Sequence, residues 1–249
     1  MSKVFLLAMS CLFGVLSTAQ SEFNLSAHFG VGKMSNSQEN DWHNMQTELK
    51  TRLSFSTDIS ANYRYSFDYI FLQSGISFSY ISGKQQESLP VISVPSMNEA
   101  EIISEKKLSV YYLGIPITGN FKWNQFDVGV GIKPNFRLTN SFDSKTYSTN
   151  PTDGINQAVN SYSYSGGNNM RRTDLGLIGR AGYDVNDWIS IELSGYWGLL
   201  DVGNNFDQGV LYDIMQDPQL SESRTQKNRQ LLVGLKFRLN NKRETTSLE

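Results

Sequence analysis

Eight stretches of the chain alternate apolar and polar side chains with a period of two. In one of them, Val128 and Val130 alternate with Gly129 and Gly131. Because successive side chains of a strand point to opposite faces, this period predicts β-strands with one apolar and one polar face. The eight predicted strands cover residues 23–31, 53–65, 70–80, 108–121, 126–133, 174–183, 189–199 and 231–239.

The connections between these strands are alternately long and short. Three short links, rich in Asn and Asp, lie at 66–69, 122–125 and 184–187, and such residues favour tight reversals. The four long connections are residues 34–50, 82–107, 139–172 and 201–228. This alternation predicts an all-β fold, an eight-stranded antiparallel up-and-down transmembrane β-barrel with short periplasmic turns, four long outer loops and both ends on the periplasmic side.

A soluble β-sandwich also produces alternating strands, with the apolar faces buried between two sheets. The composition favours the membrane barrel, because only 18% of the residues are charged whereas 12% are aromatic. The polar faces are rich in Gly and Ser, which suits a crowded barrel interior, and aromatic residues recur near the strand ends as in membrane-interface girdles. The sequence therefore predicts an outer-membrane protein, with the soluble fold as the alternative.

The first 20 residues are typical of a secretory signal peptide, with Lys3, an apolar segment from 4 to 16 and small residues before Gln20. Cys11 lies in the middle of the apolar segment, which argues against lipidation. We therefore expect a signal peptide at 1–20, a barrel at 21–240 and a polar tail at 241–249. The net charge of −2 gives no electrostatic reason to expect a nucleic-acid partner.

The polar faces of the predicted strands carry charges of both signs, which the barrel would enclose. Unpaired buried ions are costly, so we expect a network of ion pairs, with Arg180 and Glu192 pairing on adjacent strands. Such a network either plugs the barrel or forms a path for protons or ions. Its predicted members are Asp58, Arg64, Asp127, Lys133, Arg137, Asp174, Arg180, Glu192, Lys236 and Arg238.

Catalytic and cofactor motifs are weak in this sequence. The two histidines are His28, which faces the interior, and His43, which follows Asp41 in a predicted loop. Neither has the spacing of a metal site, and Gly166–Gly167 lacks the Lys of a phosphate-binding loop, so we expect no cofactor and no enzymatic activity.

The third long loop contains tyrosines among Ser, Asn and Gly, a composition suited to adaptable contacts. Tyr147, Tyr162 and Tyr164 are therefore candidate contact residues, although a solvated loop has the same composition.

Several stretches resemble the Bacteroidetes outer-membrane β-barrel family that includes PorT-like proteins. They are residues 111–117, 126–131, 174–183 and 232–239. The resemblance implies an integral outer-membrane protein, and some relatives serve protein secretion by the type IX route. Gly114 stands where relatives often have Glu, so any role of that carboxylate is absent, and the polar tail also departs from barrels that end on an aromatic residue.

Three functions follow from this reading, in order of preference. The first is a non-enzymatic scaffold or subunit of an envelope complex that acts through its loops. The alternatives are a small-solute channel or ligand-binding barrel, and an outer-membrane lipid-modifying enzyme. The expected partners are outer-membrane lipid and envelope or secretion proteins.

Overall fold

A computed structural model describes residues 20–38, 48–67, 69–90, 101–149, 156–165, 171–202 and 224–239. No helix among these residues is long and apolar enough to cross a membrane. The described residues form eleven strands: β1 (Gln20–Gln38), β2 (Glu48–Arg52), β3 (Ser54–Phe67), β4 (Ile70–Pro90), β5 (Glu101–Gly114), β6 (Ile117–Trp123), β7 (Phe126–Thr149), β8 (Asn156–Ser165), β9 (Thr173–Asp184), β10 (Ile189–Gly198) and β11 (Arg224–Leu239).

These strands form one sheet that closes into a ring. The order of neighbours is β4-β3-β1-β11-β10-β9-β7-β5, and β5 pairs back onto β4. The other three strands extend ring positions: β2 continues β3 along β4, β6 continues β5 between β4 and β7, and β8 continues β9 along β7. All pairings are antiparallel, so the predicted eight-stranded barrel is confirmed.

The short connections lie where the alternation predicted them. Asn124 adopts a positive φ of 54° between β6 and β7, a conformation that Asn tolerates in tight hairpin turns. The turn between β9 and β10 is fixed by Asn186, whose Oδ1 accepts hydrogen bonds from the backbone N–H groups of Trp188 and Ile189, each at 2.8 Å.

The strands extend further into the predicted outer loops than the alternation indicated. β4 continues to Pro90, β5 begins at Glu101, and β7 continues to Thr149 with β8 beside it. Most residues of these segments are polar in the sequence, so the backbone ladder continues there without the alternation of apolar and polar residues that marks the rest of the ring. We call this part of the ring the outer extension, comprising residues 33–38, 48–52, 82–90, 101–109, 139–149, 156–165 and 224–230.

The outer surface of the ring below the outer extension is almost entirely apolar. On β10, Ile191 and Leu193 are 47% and 49% exposed, whereas Glu192 between them is 1% exposed. Among the described residues no second sheet covers the apolar side, so the soluble sandwich is wrong. An apolar surface of this extent needs lipid around it.

Aromatic side chains mark both borders of this apolar band. The girdle near the turns contains Phe23, Tyr65, Tyr69, Phe121, Trp123, Phe126, Tyr183, Trp188 and Phe237. The girdle near the outer extension contains Phe55, Tyr80, Tyr111, Phe136 and Trp197. Their placement follows the interface preference of aromatic rings in membrane barrels.

Candidate functional site: the filled interior

Glu192 on β10 is surrounded by basic side chains inside the ring. Its Oε1 lies 3.1 Å from His28 Nε2 and 3.5 Å from Arg180 Nε, and its Oε2 lies 3.1 Å from Lys236 Nζ. All four side chains are 2% exposed or less. The structure thus places Arg180 beside Glu192, and adds His28 from β1 and Lys236 from β11 to the same carboxylate.

Two further carboxylates extend this cluster. Lys236 also lies 3.2 Å from Asp127 Oδ2, so a single ammonium group connects two buried acids. Asp58 on β3 is directly opposite His28 on β1, pairs with Lys133 on β7 and accepts a hydrogen bond from Ser79 Oγ at 2.6 Å. Because β3 and β7 are not neighbours, this pair crosses the interior.

The periplasmic end of the interior is held by Asp184. This carboxylate pairs with Arg238, lies 2.7 Å from Lys122 Nζ and accepts a hydrogen bond from Ser190 Oγ at 2.8 Å. The sequence assigned Asp184 and Lys122 to turns. Asp184 nevertheless continues the inward phase of Arg180 and Gly182, and that phase could have identified it.

Arg64 is placed beside the wall rather than within the main cluster. Its Nη1 lies 3.6 Å from Glu22 Oε2, its Nε donates to Ser66 Oγ at 2.9 Å, and its Cζ lies 3.7 Å from the centre of the Phe71 ring. A guanidinium over an aromatic face gains electrostatic stabilisation, so Arg64 combines a weak ion pair with a cation–π contact.

We call this polar part of the interior the lower lumen. It comprises His28, Asp58, Arg64, Ser79, Asp127, Lys133, Arg180, Asp184, Glu192, Lys236 and Arg238.

Asp174 lies at the outer end of β9 and has hydroxyl and amide partners. Its Oδ2 accepts hydrogen bonds from Tyr196 at 2.9 Å and from Asn228 at 2.8 Å, and Asn228 also donates to Tyr112 Oη at 3.1 Å. Arg137, the remaining predicted member, is half-buried, and its Nη1 has no hydrogen-bond partner among the described residues.

An apolar cluster lies next to these residues inside the ring. It consists of seven buried side chains in the outer half of the ring, and we call it the upper plug. Buried polar side chains such as Lys106 and Ser144 lie further out on β5 and β7. The members of the upper plug are Met34, Ile81, Leu108, Val110, Tyr112, Phe142 and Val202. The sequence reading missed this cluster, because residues 108–113 are largely apolar on both faces and the alternation there is weak.

The histidines and tyrosines singled out in the sequence lie in separate parts of the chain. His28 is held against Glu192 in the lower lumen, and His43 lies outside the described residues. Tyr147 is half-buried on β7, and the backbones of Tyr162 and Tyr164 on β8 pair with Ser144 and Phe142. Within the described part of the chain, no group of three or more His, Cys, Asp and Glu residues could hold a metal ion.

Comparison with known proteins gives one family match and a set of solved structures of low similarity. Residues 18–204 match the outer membrane protein beta-barrel domain family. Neisserial surface protein A (NspA) is 11% identical over 88% of this chain and 98% of its own, with a TM-score of 0.39. Ail of Yersinia pestis is 13% identical over 88% of this chain and 99% of its own, with a TM-score of 0.37. The outer membrane protease OmpT of Escherichia coli is 12% identical over 87% of this chain and 96% of its own, with a TM-score of 0.40.

No curated protein sequence matches the chain. The family match nevertheless extends over most of it and coincides with a closed ring whose outer face is apolar. The chain therefore belongs to the outer membrane protein beta-barrel domain family and resides in the outer membrane.

Proposed function

We propose that this protein is a non-enzymatic scaffold or subunit of an envelope complex, and that it contacts its partner through the outer extension. The single observation that carries the proposal is the filled interior. Ion pairs occupy the lower lumen and apolar side chains occupy the upper plug, so the ring is built as a solid support. Small barrels of eight strands have room for little else.

The ion pairs make solute passage through the lower lumen costly. Lys133 bonds to Asp58 across the interior, and Lys236 connects Glu192 to Asp127. To pass through, a solute would have to separate these buried ion pairs, and a charged solute would also have to lose its own water. Each uncompensated buried ion costs on the order of several kcal/mol. This favours a support over a channel.

The outer extension offers the surface that a partner can reach. β7 and β8 continue as a hairpin, and exposed side chains such as Ser161 and Lys145 lie on it close to Tyr147. The resemblance to PorT-like barrels supports a partner from the secretion machinery. The lipid-modifying alternative gains no support from His28, because its side chain is 1% exposed and lies inside the ring.

Planar-bilayer recording tests the closed interior. We expect no reproducible conductance steps from the unaltered protein, and steps from a variant whose upper plug and lower lumen are both emptied, Phe142→Ala with Leu108→Ala and Arg180→Ala. Steps from the unaltered protein that disappear or change size on Arg180→Gln or Glu192→Gln would instead support the channel.

Site-specific photo-crosslinking in cells tests the contact surface. A photo-reactive residue at Tyr147 should yield a discrete adduct with one envelope protein, whereas the same residue at Leu193, which is 49% exposed on the apolar band, should yield none. Equal adduct patterns from both positions would contradict a specific contact through the outer extension.

A further inference from the structure

Three cations lie side by side on the outside of the ring at the base of the outer extension. Arg52 on β2 is directly opposite Lys84 on β4, and Lys84 is directly opposite Lys107 on β5. All three side chains are exposed. We call this set the basic row.

Within the part of the chain that the structure describes, the basic row makes no ion pair, although Glu105 is exposed two residues before Lys107 on β5. Arg52 donates to Gln86 Oε1 at 2.5 Å, which is a neutral partner. Lys84 and Lys107 have no ion pair within 4.0 Å among the described residues, although Asp143 is opposite Lys107 on β7. Like charges directly opposite each other destabilise a sheet, so a row of three is explained best by an anion that bridges them.

The surface directly below the basic row is graded. Ser82 and Ser109, the next residues below Lys84 and Lys107 on the same face, are only 1% and 5% exposed, and their hydroxyls lie 3.4 Å apart. Below these hydroxyls the rings of Tyr80 and Tyr111 are 5.0 Å apart, at the border of the apolar band. Apolar, aromatic and basic levels thus follow one another on the outside of the same strands.

This order matches a lipid in the outer leaflet, whose acyl chains would lie against the apolar level and whose charged headgroup would lie against the basic level. Lys84 is four residues beyond Tyr80, about 13 Å along a strand and about 9 Å along the membrane normal at a tilt of about 45°. Headgroups occupy roughly 5–8 Å beyond each side of the hydrocarbon core, and Lys side chains reach toward such groups. The basic row therefore lies within reach of outer-leaflet phosphates.

We propose that Arg52, Lys84 and Lys107 form a binding site for the phosphate headgroup of a phosphorylated glycolipid in the outer leaflet, with its acyl chains on the apolar band below Tyr80 and Tyr111. A soluble polyanion could satisfy the cations but would leave the tyrosines and the apolar surface unused. Phosphate oxygens accept charge-assisted hydrogen bonds from all three side chains. This site lies on the β2, β4 and β5 part of the outer extension, whereas the partner contact proposed above is tested at Tyr147 on β7.

Native mass spectrometry of the full chain in detergent tests the site, with diphosphorylated lipid A as the probe. The site variant is Arg52→Gln, Lys84→Gln and Lys107→Gln together. The matched control removes three other exposed cations of the described chain, Lys145→Gln, Arg171→Gln and Arg172→Gln. Both variants should retain the gel-mobility shift between unheated and heated samples that reports a folded barrel.

We expect lipid A affinity to fall by roughly 10- to 100-fold in the site variant and by less than about 2-fold in the control. With the unaltered chain, dephosphorylated lipid A should bind roughly 10- to 100-fold more weakly than diphosphorylated lipid A. This second comparison needs no substitution, so it decides the question even if the site variant does not fold.

Three results would overturn the proposal. Equal losses of lipid A affinity in the two variants would show that lipid A is attracted by the overall positive charge rather than bound at a specific site. Equal binding of lipid A and its dephosphorylated form would exclude the phosphate. Binding of soluble heparin that matches lipid A in affinity and in dependence on the basic row would assign the surface to an extracellular polyanion instead.

Discussion

The lower lumen and the upper plug fill the same ring by opposite physical means. In the lower lumen, carboxylates such as Glu192 are buried against several cations, and each ion depends on its partners. In the upper plug, Val110 and Ile81 are fully buried among other apolar side chains. In the lower lumen, the loss of a single ionic partner should therefore lower the free energy of unfolding sharply. In the upper plug, the free energy of unfolding should fall in proportion to the side-chain volume removed.

The largest expected effect comes from removing the shared carboxylate of the lower lumen. Glu192→Gln leaves Arg180 without its anion and Lys236 with Asp127 alone, so the free energy of unfolding should fall by about 3–5 kcal/mol. Urea titration of the protein refolded into lipid vesicles measures this change.

The control is Glu22→Gln, because Glu22 is 25% exposed and lies 3.6 Å from Arg64. Glu22→Gln should lower the free energy of unfolding by about 1 kcal/mol or less, as for other partly solvated ion pairs. Equal losses for the two substitutions would mean that the lower lumen is not held by its buried ions.

A smaller effect is expected from creating a cavity in the upper plug. Leu108→Ala should reduce the free energy of unfolding by about 2–3 kcal/mol, because the deleted methyl groups leave a void among buried neighbours. Leu113→Ala on the same strand is the control, since Leu113 is 39% exposed on the lipid face and lipid can fill the space. A larger loss at Leu113 than at Leu108 would contradict the assignment of the two faces.

A third comparison tests how closely the upper interior is packed. A Cβ added to Gly176 would overlap the ring of Tyr196 and lie 2.5 Å from the carbonyl oxygen of Trp197. Gly176→Ala should therefore lower the free energy of unfolding by about 1–3 kcal/mol in the same urea titration. Gly179→Ala on the same strand should cost little, because nothing lies within 4 Å of the added Cβ. Similar costs at both glycines would show that β9 does not present them to different surroundings.

The smallest expected effect lies at the boundary of the two regions. Tyr112 belongs to the upper plug, but its hydroxyl accepts a hydrogen bond from Asn228 at 3.1 Å. Tyr112→Phe keeps the packing and removes one neutral hydrogen bond, so stability should fall by about 1 kcal/mol. A loss as large as that of Glu192→Gln would place Tyr112 within the ionic network.

The faces of the strands could be predicted from the sequence, because period-two alternation fixes which side chains share a side. That principle placed Asp127, Lys236 and Glu192 inside the ring. It could not predict which of them meet, because a pair such as Asp58 and Lys133 depends on how two distant strands face each other across the closed ring.

Two other features were beyond the sequence pattern for physical reasons. The upper plug escaped notice because Leu108 and Val110 point inward while Tyr111 and Leu113 point outward, so both faces of that stretch are apolar. Most of the outer extension lies in segments that the sequence predicts as loops, because a strand that rises above the lipid has no need of an apolar face. Backbone pairing there carries no alternating signature.

The central claim is that the apolar side of this closed ring faces lipid and that its polar side is sealed inside. Spin labels placed singly on β10 in a Cys11→Ser background, with the protein in lipid vesicles, test it most directly. Collisions with oxygen, which concentrates in lipid, should be frequent at Ile191 and Leu193 and rare at Ser190 and Ser194. More frequent collisions with a water-soluble nickel chelate than with oxygen at Ile191 and Leu193 would contradict the claim.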